Sequence, residues 1–171
     1  SGVPSWTLVL CNRLLEKTRK SNLQEVWPNL EVYFHGGVSF HPYKESFSKL
    51  VGEGRMSYLE TYNASEGFFG IQDRSESDDL LLMLDYGVYY EFVPIAEVGP
   101  SEPKVVSLAD VVVGENYALV ISTNGGLWRY MIGDTVKFTS KNPFRIQITG
   151  RVSSYINAFG EELVVQNAEE A

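Results

Sequence analysis

The sequence predicts a β-rich α/β fold, a mixed sheet plus antiparallel strands with flanking helices, and three observations carry that prediction. One amphipathic helical stretch opens the chain. Short segments rich in Val, Ile, Tyr and Phe, bounded by Asn, Gly, Asp or Pro, fill most of the remainder. A composition of 44% hydrophobic and 21% charged residues supplies a core. Over residues 4–20, Trp6, Leu8, Val9, Leu10, Leu14 and Leu15 fall mostly at helical spacing, with Ser5 as a candidate cap and basic residues gathered at the far end, where the helix dipole favours them. Trp27-Pro28 stops any helix, and 30–34 reads as a strand emptying into His35-Gly36-Gly37. Residues 43–51 read as a helix, and 55–62 and 68–72 as strands around a loop at 63–67. Residues 80–86 and 88–95 read as a hairpin turning at Asp85-Tyr86-Gly87, and 97–104 as a surface connection. Strands are then expected at 117–123, 127–132, 135–139 and 144–149, which makes the second half mostly antiparallel sheet; 161–169 starts a helix or a strand.

A length of 171 residues suits one ordinary domain or a piece of a larger one. Fourteen Lys and Arg against 22 Asp and Glu give a net charge of −8, which excludes the cationic face needed for nucleic-acid backbones or anionic lipid. No apolar run approaches the roughly 20 residues that span a bilayer. The start carries no basic, apolar leader, and the single Cys11 forms no internal disulfide, so a reducing, cytoplasmic setting is expected.

Three loops place flexible residues beside groups able to hold a nucleotide. In His35-Gly36-Gly37-Val38-Ser39, paired glycines at a strand end let a ligand approach the backbone, or simply make a tight turn. Thr61 to Gly67 sets an aromatic ring, a hydroxyl and a carboxylate in one loop: the ring of Tyr62 can stack on a purine, the hydroxyl of Ser65 can meet phosphate, and the carboxylate of Glu66 can hold Mg²⁺. The alternative there is a solvated turn. In the stretch from Asn124 to Thr135, Asp134 follows a glycine at a strand end, where a carboxylate can accept both ribose hydroxyls or cap a turn.

Other chemistries find less support. Glu60, Glu66, Asp73, Asp85 and Glu91 supply carboxylates for glycoside hydrolysis, but no aromatic subsite pattern singles out a pair. His35 and His41 have no cysteine or Glu partners at zinc spacing and read as core or surface residues, while Cys11 reads as packing within the helix. Neither a Gly-x-Ser-x-Gly elbow nor a phosphate-cradling Gly-x-x-x-x-Gly-Lys sequence occurs.

In series, Trp27-Pro-Asn-Leu, Tyr33-Phe-His-Gly-Gly, Tyr62-Asn-Ala-Ser-Glu-Gly, Leu127-Trp-Arg-Tyr-Met-Ile-Gly-Asp, Gly150-Arg151 and Ile156-Asn-Ala-Phe-Gly-Glu resemble the Gretchen Hagen, auxin-responsive family of acyl-acid amido synthetases. The resemblance covers essentially the whole chain and implies the β-rich C-terminal part of the large domain of a luciferase-like adenylate-forming enzyme over 1–150, then the hinge and start of a small C-terminal domain over 151–171. It implies activation of a carboxylic acid with ATP and Mg²⁺ to an acyl-adenylate, followed by attack of an amine, usually an amino acid's. By that resemblance Tyr62 packs on adenine, Ser65 contacts phosphate, Glu66 binds Mg²⁺, Asp134 holds the ribose, Gly36 and Gly37 line the adenine or acyl pocket, and Arg151 lies at the hinge near the ribose. Val3, Trp6, Leu10 and the strand around Phe34 are candidates for the acyl pocket. The sequence departs from the pattern at Met131, where the family has arginine, and at Ser153 and Asn157, where the wider superfamily has aspartate and lysine. The phosphate loop and the catalytic lysine of the small domain have no counterpart in this stretch, so it is expected to hold half a site, to bind nucleotide weakly and to self-associate. Two other readings stand beside this one: a non-catalytic nucleotide-binding or interaction module, and an acyl-CoA-type ligase with a thiol acceptor.

Overall fold

A computed structural model describes residues 1–52, 56–99, 103–152, 155–158 and 161–164. The chain forms two compact units, Ser1–Leu80 and Leu81–Ala171.

The first unit opens with α1 (Pro4–Thr18). Its cap is Val3 rather than Ser5. Pro4 occupies the first helical position, where its missing N–H costs nothing, and no side chain caps the helix start. A second, unforeseen turn of helix, α2 (Leu23–Val26), is nucleated by Asn22, whose side chain accepts a hydrogen bond from the Glu25 amide at 3.0 Å. Cys11, Leu23 and Val51 are buried together, packed by Leu14, Leu15, Leu30, Leu50 and Met56, which makes Cys11 the packing residue its sequence context predicts. α3 (Lys44–Val51) follows a 3₁₀ turn at His41–Tyr43.

β1 (Val32–His35) runs parallel to β2 (Ser57–Ala64), in register from Val32 opposite Ser57 to His35 opposite Glu60. Alternation along β1 buries Tyr33 and His35 and leaves Val32 and Phe34 on the other face. The buried pair joins Phe40, Phe47 and Tyr58 in an aromatic cluster, with Tyr33 stacked on Phe47 at 4.9 Å and His35 on Phe40 at 4.2 Å. β2 then turns back into β3 (Gly67–Ile71). The expected five-residue loop is only a two-residue turn, Ser65-Glu66, because Asn63 and Ala64 pair with Phe68 and Gly67 and so belong to the ladder.

In the second unit the strands β4 (Leu80–Leu82), β5 (Val88–Pro94), β6 (Val106–Ser107), β7 (Asn116–Thr123), β8 (Tyr130–Lys141) and β9 (Phe144–Arg151) lie in the order β4-β9-β8-β7-β5-β6. The hairpin expected between 80–86 and 88–95 does not form: β5 lies between β7 and β6. The seven matched residues that β7 offers to β5, Val88 opposite Thr123 through Pro94 opposite Tyr117, outweigh what a three-residue β4 could give. Phe92, Tyr117, Leu119, Ile121, Val136, Phe138 and Ile146 are almost fully buried, and the rings of Phe92, Tyr117 and Phe138 meet edge to face. Two expected strands at 127–132 and 135–139 are instead one twelve-residue strand, β8. Gly133-Asp134 interrupts the β-forming pattern without ending the strand, because glycine can adopt the φ of +90° found there while pairing continues through Asp134. A further hairpin pairs β10 (Tyr155–Ala158) with β11 (Glu161–Val164), so the described part of the 161–169 stretch is a strand. Ser153 lies outside the described residues.

Candidate functional site

In the first unit, the two candidate loops adjoin. The Thr61 hydroxyl donates to the His35 carbonyl at 3.1 Å, tying the end of β1 to β2 just before Tyr62. A Cβ at Gly36 would collide with the Thr61 carbonyl oxygen, and one at Gly37 would lie 3.6 Å from Val3. The close approach that demands glycine at 36 is therefore to the protein's own backbone. Tyr62 is buried, its ring edge to face with Phe69 at 5.0 Å, and a bulge between Tyr62 and Asn63 sets its place in the hairpin. Ser65 is exposed and Glu66 half-buried, at the tip of the turn that follows. Of the acyl-pocket candidates, Trp6 and Leu10 stand well exposed on α1, and Val3 and Phe34 less so.

His35 has a structural role that the sequence left open. It is 5% exposed, its Nδ1 has no hydrogen-bond partner, and burial lowers its pKa to about 4, so it is a neutral ring in an aromatic core. Burial likewise pushes the Cys11 thiol up, as expected of a packing cysteine and not of a nucleophile. Among the described residues no group of three or more His, Cys, Asp and Glu could hold a metal ion.

In the second unit the structure brings Asp134 and Arg151 together. They are directly opposed on β8 and β9, and the Arg151 guanidinium Nη1 lies 2.8 Å from Asp134 Oδ1. The aspartate side chain is 14% exposed and the arginine 60%, so the carboxylate is recessed and its partner reaches it from the solvent side. A feature missed in the sequence lies on the same unit. A cavity of about 460 Å³ is lined by Tyr89, Glu91, Ser122, Trp128 and Arg129. Arg129 precedes β8 in a left-handed conformation, φ 46°, held by the Ser122 hydroxyl on its amide at 2.9 Å and by Glu91 on its Nε at 3.0 Å. Only the neighbouring Gly125-Gly126 hinted at an irregular backbone there.

Residues 1–56 match the GH3 family N-terminal domain and residues 81–151 the GH3 family central domain. The chain belongs to the GH3 family. Among curated relatives, GH3.3 of Arabidopsis thaliana, an indole-3-acetic acid-amido synthetase, is 34% identical over 124 residues, covering 68% of this chain and 20% of that protein. JAR4 of Nicotiana attenuata, a jasmonoyl–L-amino acid synthetase, is 32% identical over 123 residues, covering 67% of this chain and 21% of that protein. The GH3 chain described here thus spans about a fifth of the length of these relatives. Among solved structures, AtGH3.15 acyl acid amido synthetase in complex with 2,4-DB matches with TM-score 0.66 at 19% identity over 91% of this chain and 28% of that one. An open conformation of 2-hydroxyisobutyryl-CoA ligase matches with TM-score 0.66 at 16% identity over 95% of this chain and 38% of that one. At these identities the likeness establishes the fold, a mixed β-rich α/β segment shared by adenylate-forming enzymes.

Proposed function

We propose that this GH3 chain is a segment of an ATP-dependent acyl-acid amido synthetase, which adenylates a carboxylic acid and passes the acyl group to an amine, an amino acid's in particular. The observation that carries the reading is the recessed Asp134 carboxylate in the Ile-Gly-Asp stretch of the family motif within β8, paired with Arg151 across the ladder. Family membership and the names of the relatives support the amide-forming acceptor. The fold alone does not separate it from a thiol acceptor, since a CoA ligase matches with the same TM-score as AtGH3.15.

On this reading residues 1–150 belong to the large adenylation domain and 151–171 to the hinge and the beginning of the small domain. The family resemblance assigns Tyr62 to the adenine, Gly36 and Gly37 to the adenine or acyl pocket, Ser65 to phosphate, Asp134 to the ribose hydroxyls and Arg151 to the hinge near the ribose. Glu66 is a single half-buried carboxylate at a hairpin tip, which fits Mg²⁺, an ion usually held by one or two carboxylates and substrate phosphates rather than by a protein cage. When bound, Mg²⁺ supplies charge neutralisation between an attacking carboxylate and the α-phosphate, two anions that otherwise repel. The chain's own residues fix the base and sugar, so that the phosphate is oriented before attack. The low cysteine content supports a cytoplasmic setting, and no helix among the described residues is long and apolar enough to cross a membrane.

The test is pyrophosphate exchange by the full-length protein, with acids first and then with amino acids and CoA in turn. Acid-dependent exchange with amide formation is expected, and it should fall at least about tenfold in Asp134→Asn, the scale of one hydrogen bond to a charged group. Thioester formation in place of amide, or exchange untouched by Asp134→Asn, overturns the assignment. This segment by itself should bind ATP weakly in calorimetry; micromolar affinity or adenylate formation by it alone contradicts the half-site reading.

A further inference from the structure

The cavity on the second unit contains none of the residues that the family resemblance gives to the nucleotide. Its walls come from two strands and the chain entering a third. Tyr89 and Glu91 stand two apart on β5 and so share a face, and Tyr89 is directly opposite Ser122 of β7. The chain between β7 and β8 brings in Trp128 and Arg129, and it is tied on both sides of the tryptophan. The Thr123 amide donates to the Leu127 carbonyl at 2.9 Å, and the Arg129 amide donates to the Ser122 hydroxyl at 2.9 Å. Trp128 is 83% exposed and Tyr89 63%, and neither makes a ring contact or a side-chain hydrogen bond among the described residues. Two large rings thus face solvent from a tied backbone. Arg129 adds a charge. Of the two non-glycine residues with positive φ among those described, Arg19 (φ 55°) ends α1, where a left-handed residue is ordinary, whereas Arg129 (φ 46°) leads into a strand. Such a conformation is costly and persists where the surroundings over-determine it, as they do at ligand clamps. The Arg129 Nε is held by the Glu91 carboxylate at 3.0 Å, and its two terminal nitrogens have no partner among the described residues. The glutamate side chain is 18% exposed and the arginine 55%, so the pair presents its cationic end outward.

From this we infer that the cavity is a binding site for a carboxylate carried on a flat aromatic body. The outer end of the Arg129 guanidinium takes both carboxylate oxygens, and Trp128 and Tyr89 take the ring faces. Glu91 pins the inner edge of the guanidinium, so the fork is oriented before the ligand arrives. A cationic ligand is disfavoured, because the one carboxylate lining the cavity is recessed and already paired. The cavity, about 460 Å³, lies within the range of small-molecule sites. The inference is independent of the adenylation reading, which uses none of these five residues.

The experiment is an NMR titration of this chain. Its three tryptophans, Trp6, Trp27 and Trp128, give three indole N–H signals, and Trp128→Phe identifies the one at the cavity. Titration with 2-naphthoate should move that signal to saturation with a dissociation constant of about 1 mM, ordinary for so small a ligand at an open site. Naphthalene-2-methanol keeps the rings without the charge, and cyclohexanecarboxylate keeps the charge without a flat ring; each should bind at least about fivefold more weakly. Arg129→Gln should bring naphthoate down to the level of the alcohol and leave the alcohol unchanged. Arg129→Gly, which suits the positive φ and so keeps the turn, should do the same. Trp128→Ala, read on neighbouring amide signals, should weaken naphthoate and the alcohol alike, and the remaining amide spectrum verifies the fold of each variant. Naphthoate binding no tighter than the alcohol, or binding untouched by both arginine variants, overturns the carboxylate assignment, and a shift that never saturates overturns the site. Tighter binding of 2-naphthylmethylammonium marks a cation site, and displacement of naphthoate by ATP marks a nucleotide site. Either result overturns the inference, while the assignment of Asp134 keeps its own test in Asp134→Asn.

Discussion

Replacing His35 with phenylalanine isolates the energetic cost of a protonatable ring in an aromatic core. His35 is 5% exposed, lies 4.2 Å from Phe40 in a stacked pair, and has no hydrogen-bond partner on Nδ1. Burial lowers its pKa from 6.5 to about 4, so between those values the unfolded chain binds more protons than the folded one. Stability must therefore rise with pH across this window, being fully present above pH 6.5 and lost as pH falls toward about 4. The complete penalty is about 3 kcal/mol, and the part lost between pH 7.5 and pH 5 is about 2 kcal/mol, at 1.36 kcal/mol per pKa unit. Glu60 works in the opposite direction: burial, and then the charge of Asp78, raise its pKa, so acidification relieves it. The quantity to compare is accordingly the change in stability with pH in the parent minus that in His35→Phe, which cancels the carboxylates common to both. Urea unfolding followed by tryptophan fluorescence in a Trp128→Phe background reports on Trp6 and Trp27 alone, both in the first unit. The parent should lose about 2 kcal/mol more than His35→Phe on going from pH 7.5 to pH 5. Identical pH dependence in the two proteins would refute the burial of a neutral imidazole in this core.

Three further outcomes are expected. Gly36→Ala drives a Cβ into the Thr61 carbonyl, where backbone cannot yield as a flexible side chain can, and should lower thermal stability by about 1–3 kcal/mol; an unchanged melting curve would mean that β1 and β2 do not approach as described. Phe138→Ala removes a fully buried ring that meets Phe92 at 5.0 Å and Tyr117 at 6.0 Å, and should cost about 3–5 kcal/mol in chemical denaturation, against less than about 0.5 kcal/mol for exposed Tyr86→Ala as a control. The exposed Trp6, Val9 and Leu10 of α1 should drive self-association of this segment at high concentration, visible as a rising weight-average mass in sedimentation, and a strict monomer would count against it.

The helical spacing of residues 4–20 determined α1, and the β-formers of 30–34 marked β1. The β-rich runs marked most strands, and the ordered series of motifs pointed to the GH3 family that the chain belongs to. What local sequence did not determine was pairing. Residues 80–86 and 88–95 have the pattern of a hairpin, yet the longer match offered by β7 takes β5, and only the assembled sheet reveals that competition. Gly133-Asp134 has the local composition of a turn, but pairing of the flanking Met131 and Thr135 with β7, and of Asp134 with β9, holds it inside β8. The contact between Asp134 and Arg151 depends on β9 pairing with β8 in one register, which neither strand's own pattern reveals. Periodicity reports which face of a segment is buried, because burial acts residue by residue. Register and neighbours depend on free energies summed over strands far apart in the chain, so tertiary structure alone decides them.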